Sequence, residues 1–170
     1  MFDLIKELIN LKKLDMKEGE ISLLGTNLCL IPPDVYVLLL KELQKMNKQK
    51  VLYESSKKSS ISWFRNLTTS LGKRTVNELI DFLPKTLNLL GLGAIEIDNK
   101  DLGKKEFLFS LYDSLTAERY GKSKSPVDLQ VSGFLAGSLE FILNTETSCA
   151  ETECMSQGYK KCTFVVKTVE

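Results

Sequence analysis

The chain has 170 residues, 43% hydrophobic and 26% charged, a composition that suits one globular domain large enough to bury a core. Its net charge of +1 supplies no global field to draw in nucleic acid or an anionic membrane. It has no histidine, which removes Ser-His-Asp and Cys-His catalysis, His-ligated haem and every His-containing zinc site. No apolar run approaches the ~20 residues needed to span a bilayer. The first nine residues carry charge where a signal peptide needs its apolar region, so the expectation is a cytoplasmic protein with reduced thiols.

In chain order, Phe2, Ile5, Leu8 and Ile9 recur at helical spacing over residues 2–14. Residues 21–24 and 28–31 read as two short strands around Gly25-Thr-Asn27, with Cys29 a small buried hydrophobe in the apolar run. Pro32-Pro33-Asp34 opens a helix whose apolar stripe is Val35, Leu38, Leu39, Leu43 and Met46. Basic residues crowd between Lys41 and Lys58 and read as a solvated helix face. Helix resumes near Val51, weakened by the serines from Ser55 to Ser60, and Trp63 to Leu87 supply one or two further helices. Gly72 is the expected break, and Pro84 is expected to kink or end a helix near Phe82.

After Leu90-Gly-Leu-Gly93 the texture changes. Residues 94–98 alternate as a strand does, and 106–112 form a second strand rich in Phe and Leu. Ser114 caps a short helix that Gly121 ends. A helix from Ser125-Pro126 runs to about Leu143, with Gly133 and Gly137 four apart, read as seating it on the sheet. Residues 146–153 and 162–169 close the chain as a hairpin. Helices first, then mixed strands and helices, predict an α+β fold with helices packed on an antiparallel sheet, and one domain over 1–170.

Three of the four cysteines, Cys149, Cys154 and Cys162, lie in one stretch with Glu151. Two thiols and a carboxylate that converge suit a borderline cation such as zinc. Period-two alternation puts Cys149 and Glu151 on one face and Cys154 on the other, so convergence requires the strand to bend or end between them. The loop from Met155 to Lys161 returns Cys162 beside Cys154; a local disulfide is the competing outcome. Zinc wants four ligands, and Cys149, Asp128 or water can supply the fourth. Asp128 also stands where a carboxylate caps a helix. The aromatics Trp63, Phe107, Phe109, Tyr112, Tyr120 and Phe134 divide between core and the lining of a ligand pocket. No Gly-rich dinucleotide fingerprint is present, since Gly91-Leu-Gly-Ala94 is too short.

Residues 113–166 resemble the 4-vinyl-reductase domain through Asp113-Ser-Leu-Thr-Ala-Glu-Arg-Tyr-Gly121, Ser125-Pro-Val-Asp128, Ser132-Gly-Phe-Leu-Ala-Gly137, Glu151-Thr-Glu-Cys154, Gly158 and Cys162-Thr-Phe-Val-Val166. The family is similar to the sensor domains of phenol-responsive activators and to transport protein particle subunits. The resemblance implies an α+β ligand-binding domain of the NO-signalling/Golgi-transport type, often a homodimer, with an enclosed pocket for a small apolar or aromatic molecule. It implies a zinc held by Glu151, Cys154 and Cys162, with Asp128 where the family has a cysteine. A hydrocarbon-binding sensor or carrier is the first reading, with an accessory role in tetrapyrrole vinyl reduction and an interaction scaffold as alternatives.

Overall fold

The structure is a computed structural model that describes residues 14–23 and 26–169, the side chains of 70 and 71 excepted. The helix expected over residues 2–14 lies outside the described residues but for Leu14, which opens a strand. Strands β1 (Leu14–Lys17), β2 (Glu20–Leu23) and β3 (Thr26–Leu28) form a small antiparallel sheet. Helices α1 (Pro33–Lys45), α2 (Lys50–Leu71) and α3 (Val76–Leu89) follow. Strands β4 (Ala94–Asp101) and β5 (Glu106–Tyr112), helices α4 (Leu115–Tyr120) and α5 (Leu129–Leu143), and strands β6 (Thr147–Glu153) and β7 (Cys162–Thr168) complete the chain. The second sheet is antiparallel in the order β4-β5-β7-β6. The α+β class read from the sequence is therefore the observed one.

Helix α5 is the centre of the molecule. Val131, Leu135, Ala136, Leu139 and Ile142 are buried, and so are its small residues Ser132, Gly133, Gly137 and Ser138. It packs against α2 and against β6 and β7. A Cβ on Gly133 would collide with the Tyr53 carbonyl, and one on Gly137 with the Lys57 carbonyl. The two glycines therefore seat α5 on α2, not on the sheet as the sequence suggested. The serines that weakened the helical signal are the matching surface: Ser56 Oγ donates to the Gln130 carbonyl at 2.7 Å, and Ser60 is buried. Inward side chains of the sheet, Phe107, Phe109, Leu111, Phe164 and Val166, close the core from the other direction.

Several local expectations need correction. Helix α3 begins at a capping box formed by Thr75 and Glu78 and runs through Pro84 to Leu89 without ending near Phe82. On α1 the buried residues are Val37 and Leu40, while Val35, Leu38, Leu39 and Met46 are exposed. The helix has apolar residues on two faces, and the core takes the other one. Strand β3 stops at Leu28, so Cys29 is exposed, not buried.

Candidate functional site

The site forms where the β6–β7 hairpin meets the start of α5. In β6, Cys149 pairs with Val166 and Glu151 with Phe164, but Glu153 then pairs with Thr163. Thr152 is thus one extra residue, a bulge that shifts the strand's alternation by one position. Without it Glu153 would face Cys162. With it, Cys154 arrives there instead, and the two sulfurs are 3.8 Å apart. The bulge is the bend that the alternation of the sequence demanded. A 3-10 turn over Met155–Gln157, closed by Gly158 at φ +98, reverses the chain. Such a φ favours glycine, which has no Cβ to strain. All four cysteines are free thiols.

Asp128 is at the N-cap of α5, yet its side chain makes no capping bond. The helix starts three residues later than Pro126 because Asp128 itself is non-helical, at φ −85 and ψ 45. Its carboxylate accepts from Ser114 Oγ at 3.0 and 2.8 Å and from the Cys162 thiol at 3.2 Å. Its backbone N–H donates to Glu151 Oε2 at 2.8 Å. Asp128, Glu151, Cys154 and Cys162 each offer one ligand atom, and these atoms lie within 4.8 Å of one another. Asp128, Cys154 and Cys162 are buried. Around them, the Met155 N–H donates to Cys162 Sγ at 3.3 Å, and Ser156 Oγ lies 3.0 Å from Cys154 Sγ.

The electrostatics of this cluster are unfavourable as it stands. Burial pushes Asp128 up to about 6, against the hydrogen bonds from Ser114 and Cys162 that favour its charged form. Burial and then the Asp128 charge push Glu151 well above the usual carboxylate range. The hydrogen bond from Cys162 pulls the Cys154 thiol down, and Cys162, holding that proton, is pushed up. Glu151 Oε1 is buried with no hydrogen-bond partner. Four acidic groups are thus gathered in a poorly solvated place with one oxygen left unpaired.

Cys149, the alternative fourth ligand, stays outside the cluster. Its N–H donates to the Tyr53 hydroxyl at 3.1 Å, and burial pushes its thiol up. Ser114, which the sequence identified only as a cap, has two roles: its oxygen accepts from the Ala117 N–H at 3.1 Å while its O–H serves Asp128. A cap signal names the first role, and no local pattern announces the second.

The six aromatic candidates are not gathered in one place. Trp63 and Phe134 have ring centroids 5.2 Å apart and share a cluster with Phe64. Phe107 and Phe109 are fully buried on β5. Tyr112 is partly exposed, under the Lys161 ammonium, and Tyr120 donates to Gln44 at 2.5 Å beneath Lys41. Trp63 Nε1 is buried without a hydrogen-bond partner.

The fold and the cluster define an α+β domain with a buried set of two thiols and two carboxylates. Residues 107–168 match the family model of the 4-vinyl-reductase domain, which bears out the resemblance to that family over this region. Over 99 residues the chain is 31% identical to the uncharacterized protein MJ1460 of Methanocaldococcus jannaschii, covering 58% of this chain and 61% of that protein. The alignment therefore spans less than two thirds of that relative's length. Among solved structures, the phenol-responsive sensory domain of the transcription activator PoxR, with phenol, has a TM-score of 0.80 at 16% identity, covering 97% of this chain and 90% of that one. A vinyl-4-reductase family protein of M. jannaschii has a TM-score of 0.60 at 26% identity, covering 84% and 85%. A trafficking protein particle complex subunit of Naegleria fowleri, covalently bound to palmitic acid, has a TM-score of 0.58 at 14%, covering 81% and 90%. An H-NOX protein of S. oneidensis shares the fold at a TM-score of 0.51 and 12% identity, covering 99% and 90%. The expected fold type, common to NO-signalling and trafficking proteins, is the one observed. Among the described residues no helix is long and apolar enough to cross a membrane.

Proposed function

We propose that the chain is a small-molecule sensor or carrier domain in which Asp128, Glu151, Cys154 and Cys162 hold one structural zinc ion. The observation that carries this reading is the fit of the four donors. Two sulfurs bound at ~2.3 Å to one tetrahedral ion stand about 3.8 Å apart, and that is their separation here. The unpaired Glu151 Oε1 gains a partner, and the like charges of the cluster gain a counter-ion. Ser114, Ser156 and the Met155 N–H already orient three of the four ligands, as outer partners of a metal site do. When bound, the ion would tie the β6–β7 hairpin to the start of α5. Four protein ligands leave no open position for a substrate, so the ion is structural and the domain is a binder, not a hydrolase.

The ligand would be apolar or aromatic and would enter between α2, α3 and the sheet face carrying Phe107 and Phe109. Trp63 Nε1 supports that place, since a buried donor without a partner costs about 1–3 kcal/mol and a ligand acceptor would relieve it. The structural likeness to a sensory domain solved with phenol and a subunit solved with palmitic acid is consistent with such a ligand. The proposed unit is one domain over residues 1–170, cytoplasmic and homodimeric, with the exposed Val35, Leu38 and Leu39 of α1 available to a second copy.

The test is solvent extraction and mass spectrometry of the protein as purified. An apolar molecule in stoichiometric amount, absent from a Trp63→Ala preparation, is the expected result. No recovered molecule, and no uptake of aromatic or fatty compounds, would remove the sensor reading and leave a scaffold.

A further inference from the structure

A second concave site lies away from the donor cluster and from the aromatic candidates. It is a groove with a volume of about 300 Å³ at the corner where β3 passes into α1. Its wall comes from the 29–33 segment, from α1, from the turn between α3 and β4, and from the starts of α4 and α5. Leu30, Leu90, Leu92 and Leu115 make its apolar part, and no charged residue lines it. Leu30 is 77% exposed and Ile31 62% exposed at this groove. Adjacent large apolar side chains held in water beside a concavity mark a binding site more often than chance.

The polar features of the groove are few and specific. Tyr36 and Gln130 both line it, and the Gln130 N–H donates to the Tyr36 hydroxyl at 3.2 Å, which sets that hydroxyl at the groove wall. Among the described residues the Tyr36 O–H donates to nothing. An uncharged wall with one fixed, unspent donor selects a neutral molecule with an acceptor, since an anion would find no counter-charge and would lose its hydration. The volume stands at the low end of small-ligand sites and is too small to take a helix, which is ~10 Å across.

We infer that this groove binds a small neutral carbonyl compound, such as a ketone, ester or lactone, with its apolar body on Leu30, Leu92 and Leu115 and its carbonyl oxygen accepting from Tyr36. The site is separate from the proposed metal centre and from the core pocket, so it stands or falls independently of both.

Cys29 also lines the groove and is exposed, so its thiol reports on occupancy. The experiment measures the rate of Cys29 alkylation by iodoacetamide in the full chain, by peptide mass. The probes are 2-acetylnaphthalene and 2-ethylnaphthalene, which share a shape and differ in the carbonyl. The ketone is expected to slow alkylation at about fivefold lower concentration than the hydrocarbon, the worth of one hydrogen bond. Tyr36→Phe should bring the two probes together, and Leu30→Arg, at a water-exposed position, should abolish protection by both. Should Tyr36→Phe prove unstable, the Leu30→Arg comparison still decides. Failure of both probes to protect overturns the inference, as does equal protection that ignores Tyr36→Phe. Protection that follows protein concentration and not ketone also overturns it, and assigns the face to a second copy.

Discussion

Strands β5 to β7 and helix α1 dispose of their apolar side chains in opposite ways. On β5 and β7 every inward position from Phe107 to Leu111 and from Cys162 to Val166 is buried, and the row ends in the donor cluster. On α1 only Val37 and Leu40 are buried, while Val35, Leu38, Leu39 and Met46 meet water. The first region is complete as a core and carries the match to the 4-vinyl-reductase family. The second presents apolar surface next to the Tyr36 groove. The difference separates residues that make the fold from residues available to bind something.

The sharpest way to break the first region is at the α2–α5 seam. Gly137→Leu should abolish cooperative unfolding, because the new side chain meets the Lys57 carbonyl and Ser60 and the helices cannot part without opening the core. Gly137→Ala should cost several kcal/mol in chemical denaturation. An effect below about 1 kcal/mol would mean that α5 does not sit on α2 as described.

Replacing both thiols comes next. Cys154→Ser/Cys162→Ser should lower stability by several kcal/mol relative to the zinc-loaded chain, as loss of a structural metal does. The loss should shrink as pH falls, since thiolates and carboxylates bind metal only when deprotonated. Unfolding curves of the two proteins that coincide at neutral pH would argue against a structural ion.

A smaller effect is expected at Asp98, at the edge of the same sheet. Burial opposes its ionisation, but hydrogen bonds from Ser110 and from Lys161, the latter at 3.0 Å, hold its carboxyl below the ordinary value of 3.8. The sign follows: its contribution is present above 3.8 and is lost as pH falls through the lower folded-state value. Asp98→Asn should therefore cost roughly 0.2–1 kcal/mol near neutrality and nothing in strong acid. A cost that grows toward low pH would reverse the assignment.

Changes on the exposed face of α1 should be the mildest for stability. Leu38→Gln is expected to shift unfolding by less than about 0.5 kcal/mol. If α1 is a contact between copies, the same change lowers the mass seen by sedimentation. A loss of several kcal/mol in a chain that is already monomeric would place Leu38 in the core instead.

Much of the C-terminal region was legible. Alternation around a Gly-containing loop located the hairpin, and Ser114 and Gly121 bounded α4. Glu151, Cys154 and Cys162 were read as converging, with the bend between them required by parity though not located. Thr152 carries no signature of a bulge, because a bulge is set by the partner strand's register. The N-terminal half was less legible for a related reason. Helix α1 has apolar residues on two faces, and periodicity does not say which one the core will take. Likewise Gly133 and Gly137 announce a close approach without naming what approaches, and the serines of α2 that complete it look like a weak helix in isolation. Tyr36 showed no sign of its position beside Gln130, 94 residues away in the chain.

The central claim is that four side chains brought together by the Thr152 bulge and the start of α5 hold one metal ion. Its most direct measurement is the metal content of the protein purified without added zinc or chelator, beside the Cys154→Ser/Cys162→Ser variant. The account predicts one zinc per chain in the first and none in the second, with the zinc-loaded chain melting at the higher temperature. Equal and negligible zinc in both, with unchanged melting temperature, would contradict it and leave two thiols on a hairpin.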